Sequence, residues 1–413
     1  NYATSGYIHC LCRTGDEPAR EAAKFARQAA QQFPDNQYIK NEWAWALYYG
    51  YLKNTEGDEA EEDENVDDQV SEQAAAPADF ATKVKAARNI FQLTADPFAQ
   101  KQAAFALCKE AKLLKKWELM LEFSQKLDPA KLSLDPNEFN GRRNKSDYQR
   151  WLFAITRSSF ELEHYDECKG YARDAIEKFP NDSFYFHWWE ALANVRMGNM
   201  EEGLHQLEYI NMYYPNKQWF VQRDIADTYK RLDRYDEAWV WYCRAATIRG
   251  DIKGRISMLK SMVDLLQRLE HWQAAYEYLL LVWAIEIEFG YKYVGRTRQQ
   301  IIEFRKHHAD HLRASSEVEV SPPTISSTIK PCRVFWQKTT RQQGTITFFK
   351  DEKGFGFITE GKGSFHFTLD DFTARVKPEI GMVVEFEPQD SFDKKQNKPG
   401  KIAVNIRPLR IPK

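Results

Sequence analysis

The sequence predicts a multidomain α + β chain: an α-solenoid of helical hairpins, then a small five-stranded β-barrel. Three observations carry that expectation. The helix end FARQAAQQFPDN, Phe25 to Asn36, returns as YARDAIEKFPND, Tyr171 to Asp182, in the same register 146 residues later. Turn segments recur at a nearly constant interval through the middle of the chain. Beyond Pro331 the apolar pattern changes from a helical period to a period of two.

The interval is read from the turns. HYDEC at Tyr165, NMEEG at Met200, RYDEA at Tyr235 and HWQAA at Trp272 lie 35, 35 and 37 residues apart. Pro180, Pro215 and Gly250 mark helix ends at the same spacing. KKWELM around Trp117 is one more such turn, displaced by an insertion near DPNEFNGRRNKSD. Two helices and a short turn repeated at about 34 residues resemble a tetratricopeptide array. The aromatic-Asp-Glu-Ala of YDEA and the small residues Ala172, Gly203, Ala238 and Ala275, where helices approach closely, fit that resemblance. It covers residues 1–313. Trp188, Trp189, Trp239, Trp241 and Trp283 read as core between stacked hairpins, since no single pair buries its apolar face alone. By analogy of fold, such an array takes a protein partner or associates with itself.

One segment breaks the pattern. Thr55 to Asp79 has ten Asp or Glu between Glu56 and Glu72 and no Lys or Arg. It reads as an acidic disordered insertion between the two helices of one repeat. Residues 1–313 carry 42 Lys+Arg against 48 Asp+Glu, so the rest of the array is mildly basic. An acidic strand that covers a basic surface is the sharper alternative to a solvated loop.

The remaining features exclude more than they assign. The 413 residues carry a net charge of −2, so bulk charge does not make the chain a polyanion binder. The six Cys lack a metal-type pairing, which leads us to expect reduced thiols in a cytoplasmic protein. No run of 18 apolar residues occurs, so no membrane association is expected. His307 and His311 are four apart on one helix face but lack a partner motif, so no metal is expected. Lys292, Arg296 and Arg298 cluster beside tyrosines as possible phosphate contacts. No phosphate-binding loop, nucleophile elbow or Cys-His signature is present, so neither enzyme activity nor a cofactor is expected.

Residues 314–340, rich in Ser, Thr and Pro, read as a linker. From 341 to 413 the alternation GTITFFK, GFGFITE, SFHFTL and VVEFEPQ reads as short strands. GTITFFKDEKGFGFI, Gly344 to Ile358, resembles the opening of a cold-shock domain, an OB-type barrel; GMVVEFEPQ and GKIAVNI are similar to its closing strands. The resemblance implies that Phe348 stands where the family has Trp and that Phe355 and Phe357 are the KGFGF aromatics. It also implies that His366 is the strand His and that Lys353 opens the motif. Independently, residues two apart on a strand share a face, so Phe355 and Phe357 form a platform flanked by Lys350, Lys353 and Lys362. Gly354 and Gly356 are expected to leave the other face unencumbered. Ser364 falls where the family places a further stacking Phe; alternatively Phe365 is that Phe, His366 turns inward and Phe367 outward.

These readings combine into a non-enzymatic adaptor that binds single-stranded RNA or DNA through the barrel and a protein through the repeats, the two joined by a flexible tether. Two alternatives stay open. The chain is a scaffold subunit of a larger enzyme complex, such as a bacterial stress or defence assembly, or the array itself binds RNA.

Overall fold

The computed structural model describes residues 2–53, 79–139, 142–214, 218–248, 250–292, 294–313, 322–372, 376–393 and 396–409. The acidic insertion, Pro215 and the first part of the expected linker lie outside the described residues. The chain divides into two units, Asn1–Ala193 and Asn194–Lys413.

The first unit is a run of antiparallel helices: α1 (Tyr2–Leu11), α2 (Asp16–Gln32), α3 (Gln37–Leu47), α4 (Phe80–Leu93), α5 (Pro97–Leu113), α6 (Trp117–Gln125), α7 (Asp147–Glu161), α8 (Tyr165–Lys178) and α9 (Phe184–Arg196), whose end crosses into the second unit. A π-helical turn, Tyr48–Leu52, extends α3. The insertion before α7 carries a two-stranded hairpin, β1 (Asn137–Phe139) with β2 (Arg142–Asn144). The second unit continues with α10 (Met200–Tyr213), α11 (Trp219–Arg231), α12 (Tyr235–Thr247), α13 (Ile256–Arg268), α14 (Trp272–Glu288) and α15 (Val294–His308).

The recurring turns have one physical cause. Lys115, Glu163, Gly198, Asp233, Glu270 and Gly290 all adopt left-handed backbone, with φ between 52° and 93°. Each is followed by an amide that reaches back five residues along the helix: Lys116 N–H donates to the Ala111 carbonyl, His164 to Ser159, Arg234 to Tyr229 and His271 to Leu266. This is the Schellman helix stop, which satisfies the last carbonyls and reverses the chain. In four of the six turns a residue other than glycine holds that conformation, at about 1–2 kcal/mol each. Buried Ala172, Ala238 and Ala275 let the helices close on each other, and the five tryptophans expected in the core are all buried.

Residues 325–340 are not a linker. They form α16 (Ile325–Thr340), which packs on α12 and α14. Its stripe Ile329, Cys332, Trp336 and Thr340 is buried at helical spacing. Phe335 lies 5.3 Å from the Trp239 ring, and Trp336 meets Tyr278 edge-on at 6.1 Å. The Thr324 hydroxyl accepts the Ser327 amide at 3.3 Å, so the Ser/Thr content that suggested a linker serves as a helix start. Burial of two aromatics and a cysteine outweighs the amide missing at Pro331.

Only Arg341 separates α16 from the sheet: β3 (Gln342–Lys350), β4 (Phe355–Glu360), β5 (Gly363–Thr368), β6 (Val383–Asp393) and β7 (Lys398–Pro408). The strand order is β3-β4-β5-β7-β6, and β6 pairs back onto β3, so the sheet closes on itself. All pairs are antiparallel except β5 with β7. The core is Ile346, Ile358, Phe365, Phe367, Met382, Val384, Phe386, Ala403 and Ile406.

The sheet is seated on the helices of its unit rather than tethered to them. The far end of the β6–β7 hairpin places Phe392 5.4 Å from Tyr213 and 6.4 Å from Tyr209, two α10 rings that stack on each other at 5.4 Å. Asp390 pairs with Arg244 of α12 at 3.8 Å. Burial pushes the Arg244 guanidinium below its usual pKa, and Asp390 acts to raise it again.

Candidate nucleic-acid interface

The site is a row of rings on the outer face of β3, β4 and β5, and a bulge creates it. Ile346 pairs with Ile358, but the next pair is Phe348 with Phe357, so β3 has one residue too many at Thr347. Strict alternation from the buried Ile346 would turn Phe348 inward. The extra residue re-aims it outward, opposite Phe357, and sends Phe349 into the core instead. The next register pair on the same face is Phe357 with His366. Three strands thus present one ring each in a line, with Phe355 beside it.

The spacing is that of a continuous aromatic surface. Phe348 lies 5.9 Å from Phe355 and 6.1 Å from Phe357. His366 is stacked on Phe355 at 5.6 Å and meets Phe357 at 5.4 Å. Phe348 is 43% exposed, and the other three rings are half-buried. His366 faces outward, while Phe365 and Phe367 are both core; this settles the open alternative.

Gly356 acts differently from expectation. A Cβ there would lie 2.5 Å from the Phe348 carbonyl oxygen and 2.5 Å from the Phe367 ring. The inner face is not unencumbered but filled, and the glycine makes room for the Phe367 ring, which stacks on Phe349 at 6.1 Å. Gly354 supplies a left-handed turn (φ 62°) that opens β4.

The three lysines of the site are exposed around the rings: Lys350 opposite Phe355, Lys353 in the turn before β4, and Lys362 in the turn before β5. Lys377 pairs with Asp351 at 2.5 Å and offsets an acid close to the platform. Ser364 points outward beside Thr359, whose hydroxyl bonds that of Thr347 at 2.9 Å, so the expected fourth ring is replaced by a strip of hydroxyls. One contributor escaped the sequence reading. Ile402 of β7 is the register partner of His366 and carries the row onto a fourth strand. A parallel pairing between distant segments leaves no local signal.

Lys292, Arg296 and Arg298 are exposed, but on the turn and first helical turns of α15, which packs on α14. They stand at a helix N-terminus, where the dipole disfavours cations, so dipole stabilisation does not account for them. At the other end of α15, His308 stacks on Trp272 at 4.0 Å, and burial lowers its pKa. Among the described residues no group of three metal-ligating side chains occurs, and no helix is long and apolar enough to cross a membrane. All six cysteines are free, and only Cys10 is exposed.

No protein-family model matches the chain, and no curated protein matches it. Solved structures do. A complex of Naa15/Naa10 bound to HypK-THB matches with 13% identity and a TM-score of 0.34, over 81% of this chain and 55% of that one. A human IFIT1 dimer with PPP-AAAA matches with 14% identity and a TM-score of 0.32, over 74% and 71% of the two chains. Yeast Tom70 matches with 12% identity and a TM-score of 0.25, over 78% and 59%. The chain thus spans little more than half the length of the Naa15/Naa10 chain it matches. All three similarities lie below a TM-score of 0.5 and carry no functional argument.

Proposed function

We propose that this chain is a non-enzymatic adaptor whose sheet, a cold-shock-like OB-type barrel, binds single-stranded nucleic acid, RNA above all. In this reading the helical repeats offer a surface to a protein partner. The observation that carries the reading is the division of labour among the aromatics. Phe365, Phe367 and Phe386 build the core, so Phe348, Phe355, Phe357 and His366 are surplus to folding and lie in contact on the outer face. Base-on-ring stacking contributes about 1–3 kcal/mol per base. Every base has a flat face, so sequence preference is modest.

Charge plays the smaller part. Three lysines meeting phosphates give a slope of about −2 in log K against log salt for a single strand. The reading is tested by competition. A labelled single-stranded oligoribonucleotide bound to the full chain should be displaced by its unlabelled form and hardly at all by a blunt duplex of the same sequence. A duplex that competes equally well would remove stacking as the mode of binding and leave only a charge surface.

A further inference from the structure

The bulge that turns Phe348 outward has a second effect. Consecutive residues of a strand ordinarily face opposite ways. At the bulge, Thr347 and Phe348 both stand on the outer face. Phe348 opposes Phe357, and the Thr347 hydroxyl lies 2.9 Å from that of Thr359. Thr359 follows Phe357 by two residues on β4, and its register partner Ser364 precedes His366 by two on β5. Each strand of the platform thus carries a ring and, beside it on the same face, a hydroxyl. Thr347 and Ser364 are exposed, and Thr359 is half-buried.

A cross-strand threonine pair by itself only stabilises a sheet. Here the hydroxyls border the whole row of Phe348, Phe357 and His366, so they offer the same neutral contact at each step. Base edges differ from one nucleotide to the next, and a hydroxyl, which both donates and accepts, tells them apart poorly. Phosphates call for cations, and these stand outside the hydroxyl row at Lys350, Lys353 and Lys362. The part of a nucleic acid that repeats unchanged, carries no charge and adjoins each stacked base is the sugar.

Resting on the reading of the platform as a stacking site for single strands, we propose that Thr347 and Thr359, continued by Ser364, select RNA over DNA by binding the ribose 2′-hydroxyl. That group is what separates the two nucleic acids at any one contact. The hydrogen bonds already made set the direction. The Thr347 hydroxyl donates to the Phe357 carbonyl at 3.4 Å, which leaves Thr359 to donate to Thr347. Both protons are then used and lone pairs remain, so the ribose hydroxyl donates and a threonine oxygen accepts.

The test compares three labelled oligouridines of equal length that differ only at the 2′ position, which carries hydroxyl, hydrogen or fluorine. Fluorine keeps an RNA-like sugar pucker but has no proton to donate. The full chain should bind the hydroxyl form about fivefold or more tightly than either of the others. Thr347→Val/Thr359→Val keeps the branched shape and should bring the three affinities within about twofold of one another. Thr347→Ser/Thr359→Ser should retain the preference for the hydroxyl form. Circular dichroism checks that the valine variant is folded, and Thr359→Val alone serves if it is not. Equal binding of hydroxyl and hydrogen forms by the native chain would overturn the proposal. So would a fluorine form that binds as well as the hydroxyl form, or a preference that the valine variant keeps. Those outcomes leave the stacking platform standing. The platform itself fails, and this proposal with it, if none of the three oligomers binds or if Phe355→Ala/Phe357→Ala binds them as the native chain does.

Discussion

Two aromatic clusters on the same sheet meet different fates. At the end of the β6–β7 hairpin, Phe392 is received by Tyr209 and Tyr213 of α10, and Asp390 by Arg244. On the outer face of β3 to β5, Phe348, Phe355, Phe357 and His366 touch one another and remain partly exposed. The first cluster has its partner inside the chain, and the second keeps its rings partly open to solvent. Aromatic content alone does not mark a binding surface; what marks it is a set of rings that neither the core nor a neighbouring helix uses.

The sharpest way to break this contrast is to remove rings from each cluster in turn. Phe355→Ala/Phe357→Ala should weaken single-stranded RNA binding on the order of 100-fold or more, as two stacking contributions are lost. Phe392→Ala should leave that affinity within about threefold while speeding hydrogen exchange in the β6–β7 hairpin, because its rings hold the sheet in place and not the ligand. Comparable losses from both variants would mean that the hairpin seat, too, belongs to the nucleic-acid site.

Support beneath the platform gives the next largest effect. Gly356→Ala sets a methyl group against the Phe367 ring and the Phe348 carbonyl. It should cost about 1–3 kcal/mol of stability by overpacking, seen as a lower thermal midpoint. Gly400→Ala is the control: its nearest neighbour would be the Ser391 carbonyl oxygen at 3.9 Å, so little change is expected.

A gain of function sharpens the comparison further. Ser364→Phe restores a ring to the hydroxyl strip beside the row and should tighten binding by about five- to tenfold, near the low end of one stacking contribution. An unchanged affinity would show that the strand never reaches that edge. The smallest effect concerns the array: Glu270→Gly relieves a left-handed residue and should raise the thermal midpoint slightly, with RNA binding untouched.

Much of this was legible in the sequence, for reasons that differ by element. The repeat showed because each hairpin needs the same helix stop, and the turn before Tyr165, Tyr235 and Trp272 is written with the same pattern of residues. Its left-handed position was not legible, because Glu163, Asp233 and Glu270 hide a role that glycine announces at Gly198. The shared outer face of Phe355 and Phe357 was legible from their two-residue spacing. The outward turn of Phe348 rests on a bulge that strict alternation conceals. Besides that of Gly356, two readings failed. α16 was taken for a linker because Ser, Thr and Pro at its start outweighed the buried stripe ending at Trp336. The sheet was taken as tethered because the seat of Phe392 joins residues about 180 positions apart, a distance at which no periodicity operates.

The most direct test is a fluorescence-anisotropy titration of a labelled single-stranded RNA with the full chain and with Phe355→Ala/Phe357→Ala, at two salt concentrations. The account predicts binding by the native chain, a shallow salt slope, and a loss on the order of 100-fold in the variant at both salts. Equal affinity of a folded variant and the native chain would contradict it and remove the platform from the function of this protein.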